Sequence, residues 1–293
     1  MPKDRILNLI HLHFIVFIWG FTAILGKLIS IDSLPLVWYR MLLATGIIFV
    51  YVLLARLRLM VDKKTLLWLV FGGIVVASHW VTFFYAIKIS TVSVALAMMS
   101  TGAFFTALLE PFVFKRKIIG YEIIFGILVI LGLALIFKVE SSYSQGMMVA
   151  LISAFLASIF SLVNGKLVKY HKPSVISFYE LGAGVLFLTV VLALRQNFTE
   201  SFFHLSIKDL LFLMVLALVC TAYALIASIK VMRILTPYTV MLTTNLEPVY
   251  GIVLAWIIFG SEEKMNPLFY VGATIILMTI ILNGVLKYRT SIK

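Results

Sequence analysis

Long apolar segments separated by short polar ones run along the whole chain. A transmembrane helix needs about 20 consecutive, mostly apolar residues, and ten segments of this chain meet that requirement. The polar connections between them are too short to hold a folded domain outside a membrane. The pattern therefore predicts an all-α integral membrane protein with ten transmembrane helices. Their approximate bounds are 8–29, 36–55, 66–87, 91–112, 119–137, 147–165, 174–194, 209–229, 238–259 and 267–286.

Composition supports a membrane protein and excludes the usual soluble enzyme. The chain has 293 residues, of which 63% are hydrophobic and 12% charged, whereas soluble domains average about 45–50% apolar and about 25% charged residues. The single cysteine, Cys220, lies inside an apolar segment, so neither a disulfide framework nor a cysteine metal site is expected. The sequence contains no phosphate-binding loop, dinucleotide-binding loop or zinc motif. We therefore expect no cofactor and no metal.

The net charge is +12, and the positions of the basic residues indicate its role. Most of them lie in connections that would be cytoplasmic if the N-terminus is cytoplasmic, and a minority lie on the opposite side, which is the bias that the positive-inside rule predicts. Anionic lipid, rather than nucleic acid, is the partner that this charge indicates. Ten spans then place both termini in the cytoplasm, and the expected location is the cytoplasmic (inner) membrane.

The two halves of the chain, 1–140 and 141–293, resemble each other weakly. Each half would hold five spans, and because five is odd, the second half must enter the membrane inverted relative to the first. Inverted repeats place a binding site near the middle of the membrane, between the halves, and support alternating access by rocking. The matching tripeptides are Gly26-Lys27-Leu28 with Gly165-Lys166-Leu167, and Trp38-Tyr39-Arg40 with Phe178-Tyr179-Glu180.

Short motifs recur in a fixed order along these predicted helices: Trp19-Gly20, Pro35 with Trp38-Tyr39-Arg40, Phe84-Tyr85-Ala86-Ile87-Lys88, Ser93-x-Ala95, Phe105-Thr106-Ala107-Leu108-Leu109 and Asn245-Leu246-Glu247-Pro248-Val249. In order and spacing they resemble the EamA-type transporters of the drug/metabolite transporter superfamily over almost the whole chain. One position departs from that pattern, because Ala103 stands where the first half of such proteins usually has a proline. Glu110-Pro111 is therefore not the symmetry mate of Glu247-Pro248.

The resemblance implies a secondary transporter of a small organic molecule, not an enzyme. Export of amino acids or related metabolites is the leading expectation, and xenobiotic efflux is the next. An integral-membrane enzyme acting on a lipid or isoprenoid, or a receptor, remains the alternative from a different class. The expected partners are a small-molecule substrate, membrane lipid and, for a coupled transporter, protons. The sequence leaves the oligomeric state open.

Three acidic or basic residues inside spans, apart from the histidine described below, are candidates for function, because such a residue costs about 2.5–3.5 kcal/mol on insertion scales. Glu247, beside Pro248, is placed to carry a proton or hold a substrate ammonium, or simply to hold a kink as a hydrogen-bonded acid. Arg40 is placed to bind a carboxylate, to extend to the membrane interface, or to pair with a glutamate at a gate. Glu180 occupies the matching position of the second half, with the opposite charge, and is expected in gating or charge pairing.

Further candidates supply aromatic or hydrogen-bonding surface around a substrate. Trp19, Trp80 and Tyr85 would line an aromatic cavity. His79 would relay protons, because its ordinary pKa lies near 6.5, or would hold helices together by a hydrogen bond. Asn245 would add a hydrogen bond near the middle of the membrane, the usual use of such a residue being contact between helices.

Overall fold

The computed structural model describes residues 3–115 and 120–290 of the chain, and this part is helical, without strands. Its helices are α1 (Lys3–Leu28), α2 (Ser33–Leu54), α3 (Lys63–Ile89), α4 (Val92–Met99), α5 (Gly102–Phe114), α6 (Gly120–Val139), α7 (Ser144–Leu167), α8 (Pro173–Leu194), α9 (Glu200–Phe203), α10 (Ile207–Ala217), α11 (Ala224–Val231), α12 (Pro237–Thr244), α13 (Glu247–Phe259) and α14 (Pro267–Thr290).

Within the described residues, eight helical segments are long and apolar enough to cross a membrane. Two shorter apolar stretches, Ile124–Val139 and Pro267–Thr279, lie in α6 and α14 at the positions of the remaining predicted spans. The chain is thus a multi-pass membrane protein, while the count of ten spans stays a prediction.

Three of the predicted spans are interrupted rather than continuous. α4 and α5 are separated at Ser100 and Thr101, whose hydroxyls donate to the carbonyls of Ala97 and Met98. α10 and α11 are joined by a π-helical turn, Leu218–Tyr223, and α12 and α13 are separated by two residues. Hydrogen bonds from a side chain to the local backbone compete with the helical ladder, and hydropathy alone does not register such breaks.

The helices pack in pairs that correspond between the two halves. α3 packs on α7 and α8, and the segment α10–α11 packs on α1 and α2. α2 packs on α8, α6 on α14, and the segment α4–α5 on α12–α13. The helices of the two halves correspond in chain order: α1 with α7, α2 with α8, α3 with α10–α11, α4–α5 with α12–α13, and α6 with α14. When each helix is exchanged with its counterpart, the same set of pairs results. This is the packing expected of two five-helix units related by a two-fold axis.

Glycines allow the closest of these approaches, because small residues let membrane helices come into backbone contact. A β-carbon on Gly73 of α3 would collide with the Glu180 carbonyl oxygen of α8 and lie 2.8 Å from the Ala183 β-carbon. A β-carbon on Gly184 would in turn lie 3.0 Å from the Gly73 carbonyl oxygen. The interface between α3 and α8 therefore depends on the absence of side chains at both positions.

Replacing Gly73 by alanine should lower the free energy of unfolding by about 1–3 kcal/mol, because neither backbone can yield without separating two helices. Gly46 is the matched control, since a β-carbon there meets nothing within 4 Å. Gly46→Ala should raise the free energy of unfolding by about 0.5–1 kcal/mol through the better helix propensity of alanine. Thermal unfolding can be followed with a thiol-reactive dye, because Cys220 is the single cysteine and is 2% exposed. Equal effects of the two variants would contradict the packing argument.

Candidate functional site

A central cavity lies between the two halves, enclosed by α1, α2, α3, α4, α7, the π-helical turn, α11, α12 and α13. Its lining is mainly aromatic and aliphatic, with methionines that adapt to different shapes. The lining extends from the middle of the helices to Met232 and Val240, next to the end of α11 and the start of α12. The large apolar side chains of the wall include Trp19, Trp80, Phe83, Phe160, Met99 and Met241.

Arg40 of α2 is held in the cavity wall by contacts on several sides. It is 1% exposed, its Nε donates to the Thr221 hydroxyl at 2.6 Å and its Nη2 donates to the Cys220 carbonyl at 3.4 Å. The guanidinium lies over the Trp80 ring, 3.9 Å from the ring centroid. Nη1 has no hydrogen-bond partner in the described part of the chain. The guanidinium is thus enclosed by helices, instead of extending to the end of α2, and retains a free donor.

The π-helical turn explains how α10–α11 can hold Arg40. The Thr221 hydroxyl donates to the Leu216 carbonyl, five residues earlier, at 2.7 Å, and so satisfies one carbonyl of the wider turn. Its oxygen remains available to accept from the arginine. Such π-bulges often occur at functional sites, and here the bulge faces the cavity.

Glu247 lies on the same cavity wall as Arg40, at the first residue of α13. It is 8% exposed, and among the described residues its carboxyl makes no hydrogen bond. The break between α12 and α13, followed by Pro248, puts this carboxyl at an interrupted helix. Broken helices are where transporters commonly bind polar groups. Opposite charges on Arg40 and Glu247 would give the cavity one anion-binding and one cation-binding group.

His79 faces the cavity and also joins two helices. Its Nδ1 lies 3.0 Å from the Ser153 carbonyl oxygen and 2.8 Å from the Ser153 hydroxyl, and that hydroxyl donates to the His79 carbonyl. Because a carbonyl oxygen only accepts, Nδ1 carries the proton in this contact. The contact is of the kind expected for helix packing, and the role of His79 as a proton relay stays a prediction.

Three predicted site residues lie away from the cavity lining. Tyr85 is 40% exposed on the outside of the bundle, because five residues after Trp80 on a helix correspond to a rotation away from the face that Trp80 occupies. Asn245 is buried in the break between α12 and α13, and not in the lining. Glu180 is fully buried and accepts a hydrogen bond from Asn164. Trp19, His79, Trp80, Arg40 and Glu247, in contrast, meet at one cavity.

One end of the bundle is closed by contacts that the sequence analysis did not identify. The Glu263 carboxylate accepts from the backbone N–H groups of Val92 and Ser93 at 3.1 and 2.9 Å and from the Ser93 hydroxyl at 2.8 Å. It also pairs with Lys27 at 3.0 Å. An anion at the start of α4 is favourable because the N-terminal end of a helix carries unpaired N–H groups and partial positive charge. Glu263 thus links the ends of α1, α4 and α13.

A second carboxylate closes the same end of the bundle. Asp209 of α10 accepts from the backbone N–H and the hydroxyl of Ser30, at 2.8 and 2.6 Å, and so joins the end of α1 to the start of α10. We call this end, with Lys27, Ser30, Asp209, Glu262 and Glu263, the closed face. Its signal in the sequence was the presence of Lys27 and two adjacent glutamates at helix ends that topology predicts on the same side of the membrane.

A comparison with known protein families identifies the class of this molecule. The model of the EamA-like transporter family matches residues 9–138 and 144–285. The chain belongs to the EamA-like transporter family. An uncharacterised transporter of Clostridium kluyveri is 23% identical over 217 residues, which cover 71% of this chain and 67% of that protein. A solved crystal structure resembles the fold with a TM-score of 0.68, 13% identity and 99% coverage of both chains.

The EamA-like transporter is thus a multi-pass membrane protein of the drug/metabolite transporter superfamily, and this membership supports transport of small molecules and a role other than enzymatic. Within residues 3–115 and 120–290 of this transporter, no group of three or more His, Cys, Asp or Glu residues is placed to hold a metal ion.

Proposed function

We propose that this EamA-like transporter exports amino acids or closely related zwitterionic metabolites across the cytoplasmic membrane by alternating access. The observation that carries this proposal is the presence of Arg40 and Glu247 on the wall of one largely apolar cavity. The free Nη1 of Arg40 suits a substrate carboxylate, and the Glu247 carboxyl suits an ammonium. The aromatic wall suits an apolar side chain.

Alternating access is supported by the difference between the two ends of the bundle. Ion pairs and caps at the closed face tie together helices from both halves. The cavity lining, in contrast, reaches the opposite end at Met232 and Val240. On the orientation proposed from the positive-inside rule, that opposite end is cytoplasmic, and the closed face lies outside. The structure would then correspond to a state that receives substrate from the cytoplasm.

The architecture that we propose for this mechanism has ten spans in two inverted repeats, 1–140 and 141–293. The corresponding helix pairs and the two separately matched segments support it. Lys27 lies over the Phe259 ring at the closed face, at 4.3 Å, and its counterpart Lys166 lies over the Phe114 ring at the other end, at 5.7 Å. A two-fold relation between the halves would produce this pair of equivalent contacts.

Uptake into proteoliposomes tests the proposal. Labelled amino acids, their amines and a set of apolar cationic drugs would be compared, with and without an imposed pH gradient. We expect saturable flux of an amino acid, with drugs as weak competitors. Saturable flux of the drugs alone would instead favour xenobiotic efflux, which the methionines and aromatic side chains of the wall would also suit. A purified protein that modifies a lipid without any flux would overturn the transport proposal.

Proton coupling depends on Glu247, the cavity carboxyl that we propose as the proton carrier. Glu247→Gln should abolish stimulation of flux by a pH gradient, because the amide keeps the shape of the side chain but cannot titrate. Exchange of labelled for unlabelled substrate should persist at a higher half-saturation concentration, because the amide also lacks the charge that suits the ammonium. Glu262→Gln is the control, since that carboxyl is exposed at the closed face and should leave the gradient response unchanged. Gradient stimulation that survives in Glu247→Gln would contradict the assignment.

A further inference from the structure

Four buried polar side chains, two on α7 and two on α8, lie near the connection between these helices, apart from Arg40 and Glu247. Ser161, Asn164, Ser177 and Glu180 are all 3% exposed or less. Each has one oxygen without a hydrogen-bond partner in the described residues: the two serine hydroxyl oxygens, Asn164 Oδ1 and Glu180 Oε2. Because buried polar atoms are normally hydrogen-bonded, four unpartnered oxygens in one region require a ligand or another explanation.

The geometry of the two helices brings the four side chains to one place. Asn164 Nδ2 donates to Glu180 Oε1 at 3.1 Å, so these two residues lie on facing sides of α7 and α8. Ser161 precedes Asn164 by three residues, and Ser177 precedes Glu180 by three, a spacing that puts side chains on the same helix face. The helices are antiparallel and joined by residues 168–172. Ser161 is therefore level with Glu180, and Ser177 is level with Asn164.

A third helix, α3, contacts the carboxyl group of Glu180 at a glycine. Gly72 of α3 faces Glu180, and a β-carbon on Gly72 would collide with Glu180 Oε1 and lie 3.2 Å from its carboxyl carbon. Among the described residues, no lysine, arginine or histidine forms an ion pair with Glu180. The carboxyl group thus packs against the backbone of α3, with one hydrogen bond and, in the described part of the chain, no ion pair.

We propose that Ser161, Asn164, Ser177 and Glu180 bind one monovalent cation, with Na⁺ as the preferred ion. Hard cations take carboxylate, carbonyl and hydroxyl oxygens as ligands, and all four unpartnered atoms are of these kinds. One carboxylate balances one positive charge, which favours a monovalent ion over Ca²⁺ or Mg²⁺. A proton on Glu180 would satisfy only one of the four oxygens. A water molecule would leave a buried charge without compensation, which is costly.

This cation site borders the central cavity, because Ser161 also belongs to the cavity lining. An ion could therefore reach it from the cavity without crossing the helix interface. The site is argued from buried oxygens without hydrogen-bond partners, so it can be tested without a substrate and stands independently of the proposed transport function.

The first test uses the purified protein in detergent without substrate, with NaCl replaced stepwise by choline chloride at constant ionic strength and pH. We expect a saturable rise of the unfolding midpoint by about 5 °C in Na⁺, because a ligand that binds only the folded state stabilises it. Choline should give no rise, and K⁺ a smaller one. Equilibrium dialysis with ²²Na⁺ should give about one bound ion per chain, and it needs no variant.

Single substitutions then test whether the four residues bind the ion. Glu180→Gln should abolish the Na⁺ response, and Ser177→Ala should raise the apparent Kd at least about tenfold, since even indirect partners of a metal ligand contribute that much. Ser158→Ala is the matched control on α7, because the Ser158 hydroxyl is already bonded to the Gly102 and Ala154 carbonyls. It should keep the wild-type Kd for Na⁺.

Three results would overturn this proposal. One is equal stabilisation by Na⁺ and choline, together with the absence of saturable ²²Na⁺ binding. Another is a full Na⁺ response in Glu180→Gln, which would put the ion elsewhere. The third is stabilisation that follows only a fall in pH, which would mean that the four residues hold a proton.

Discussion

Replacing Glu263 by alanine should lower the free energy of unfolding by about 3–5 kcal/mol, the loss typical of removing one partner of a buried ion pair. The Glu263 side chain is completely buried and satisfies two backbone N–H groups, one hydroxyl and the Lys27 ammonium. Alanine would leave these donors without their acceptor at the start of α4. The midpoint of thermal unfolding, read from the reaction of Cys220 with a thiol dye, measures the effect.

Glu262 provides the matched control, because it is the adjacent residue and bears the same charge toward the same lysine. Its carboxylate lies 3.1 Å from Lys27, but its side chain is 70% exposed. Surface ion pairs contribute about 0–1 kcal/mol, so Glu262→Ala should change stability by no more than that. Similar losses in the two variants would show that the charge toward Lys27, and not the cap on α4, maintains the closed face.

A further variant separates the cap from the ion pair. Lys27→Met removes the charge partner of Glu263 and leaves the three hydrogen bonds from Val92 and Ser93 intact. Its loss of stability should lie between those of Glu262→Ala and Glu263→Ala. If Lys27→Met costs as much as Glu263→Ala, the helix cap contributes little.

The class of fold was readable from the sequence because hydropathy over 20 residues reports directly on burial in lipid. The matching of Gly26-Lys27 with Gly165-Lys166 also predicted which helices should correspond. The breaks at Ser100 and at the π-helical turn were not readable. They depend on single hydroxyl-to-carbonyl hydrogen bonds, which leave the hydropathy of the segment unchanged.

Part of the candidate site could be predicted from the sequence, because an ionisable side chain inside a transmembrane helix costs free energy and therefore indicates a function. Arg40, His79, Glu180 and Glu247 attract attention for that reason, and all of them except Glu180 line the cavity. Tyr85 was selected as an aromatic residue near Trp80 in the sequence, and Asn245 as a hydrogen-bonding residue near the middle of the membrane. Neither criterion determines the direction of a side chain in a packed helix.

Contacts between distant helix ends were beyond the reach of sequence reasoning. Lys27 and Glu263 are separated by 236 positions. Both glutamates of the pair 262–263 contact the lysine, and the sequence does not indicate which of them is buried. Only the turn after α13 decides that Glu263 points inward and Glu262 outward. The contact of Glu180 with Asn164, on the preceding helix, was likewise not predictable from the sequence.

Replacing Arg40 by lysine should raise the half-saturation concentration for an apolar amino acid roughly thirtyfold, or about 2 kcal/mol, a loss expected when a buried charge contact to the ligand is broken. Lysine keeps the positive charge but lacks the planar fork that binds a carboxylate through two donors. It also loses the stacking on Trp80 at 3.9 Å. Competition by unlabelled substrate against labelled flux in proteoliposomes measures this concentration.

The choice of ligand separates binding from a structural role of Arg40. The amine that corresponds to the amino acid lacks the carboxylate, so Arg40→Lys should change its competition less than about threefold, since no contact to it is removed. Arg233→Lys is the control variant, because Arg233 is exposed and donates to the His171 carbonyl outside the cavity, and it should affect neither ligand. If the amino acid and the amine weaken equally in Arg40→Lys, the arginine supports the cavity wall through Thr221 and Trp80 and does not contact the carboxylate. A thirtyfold loss confined to the amino acid would place the carboxylate of the substrate at Arg40, and its ammonium would then be sought at Glu247.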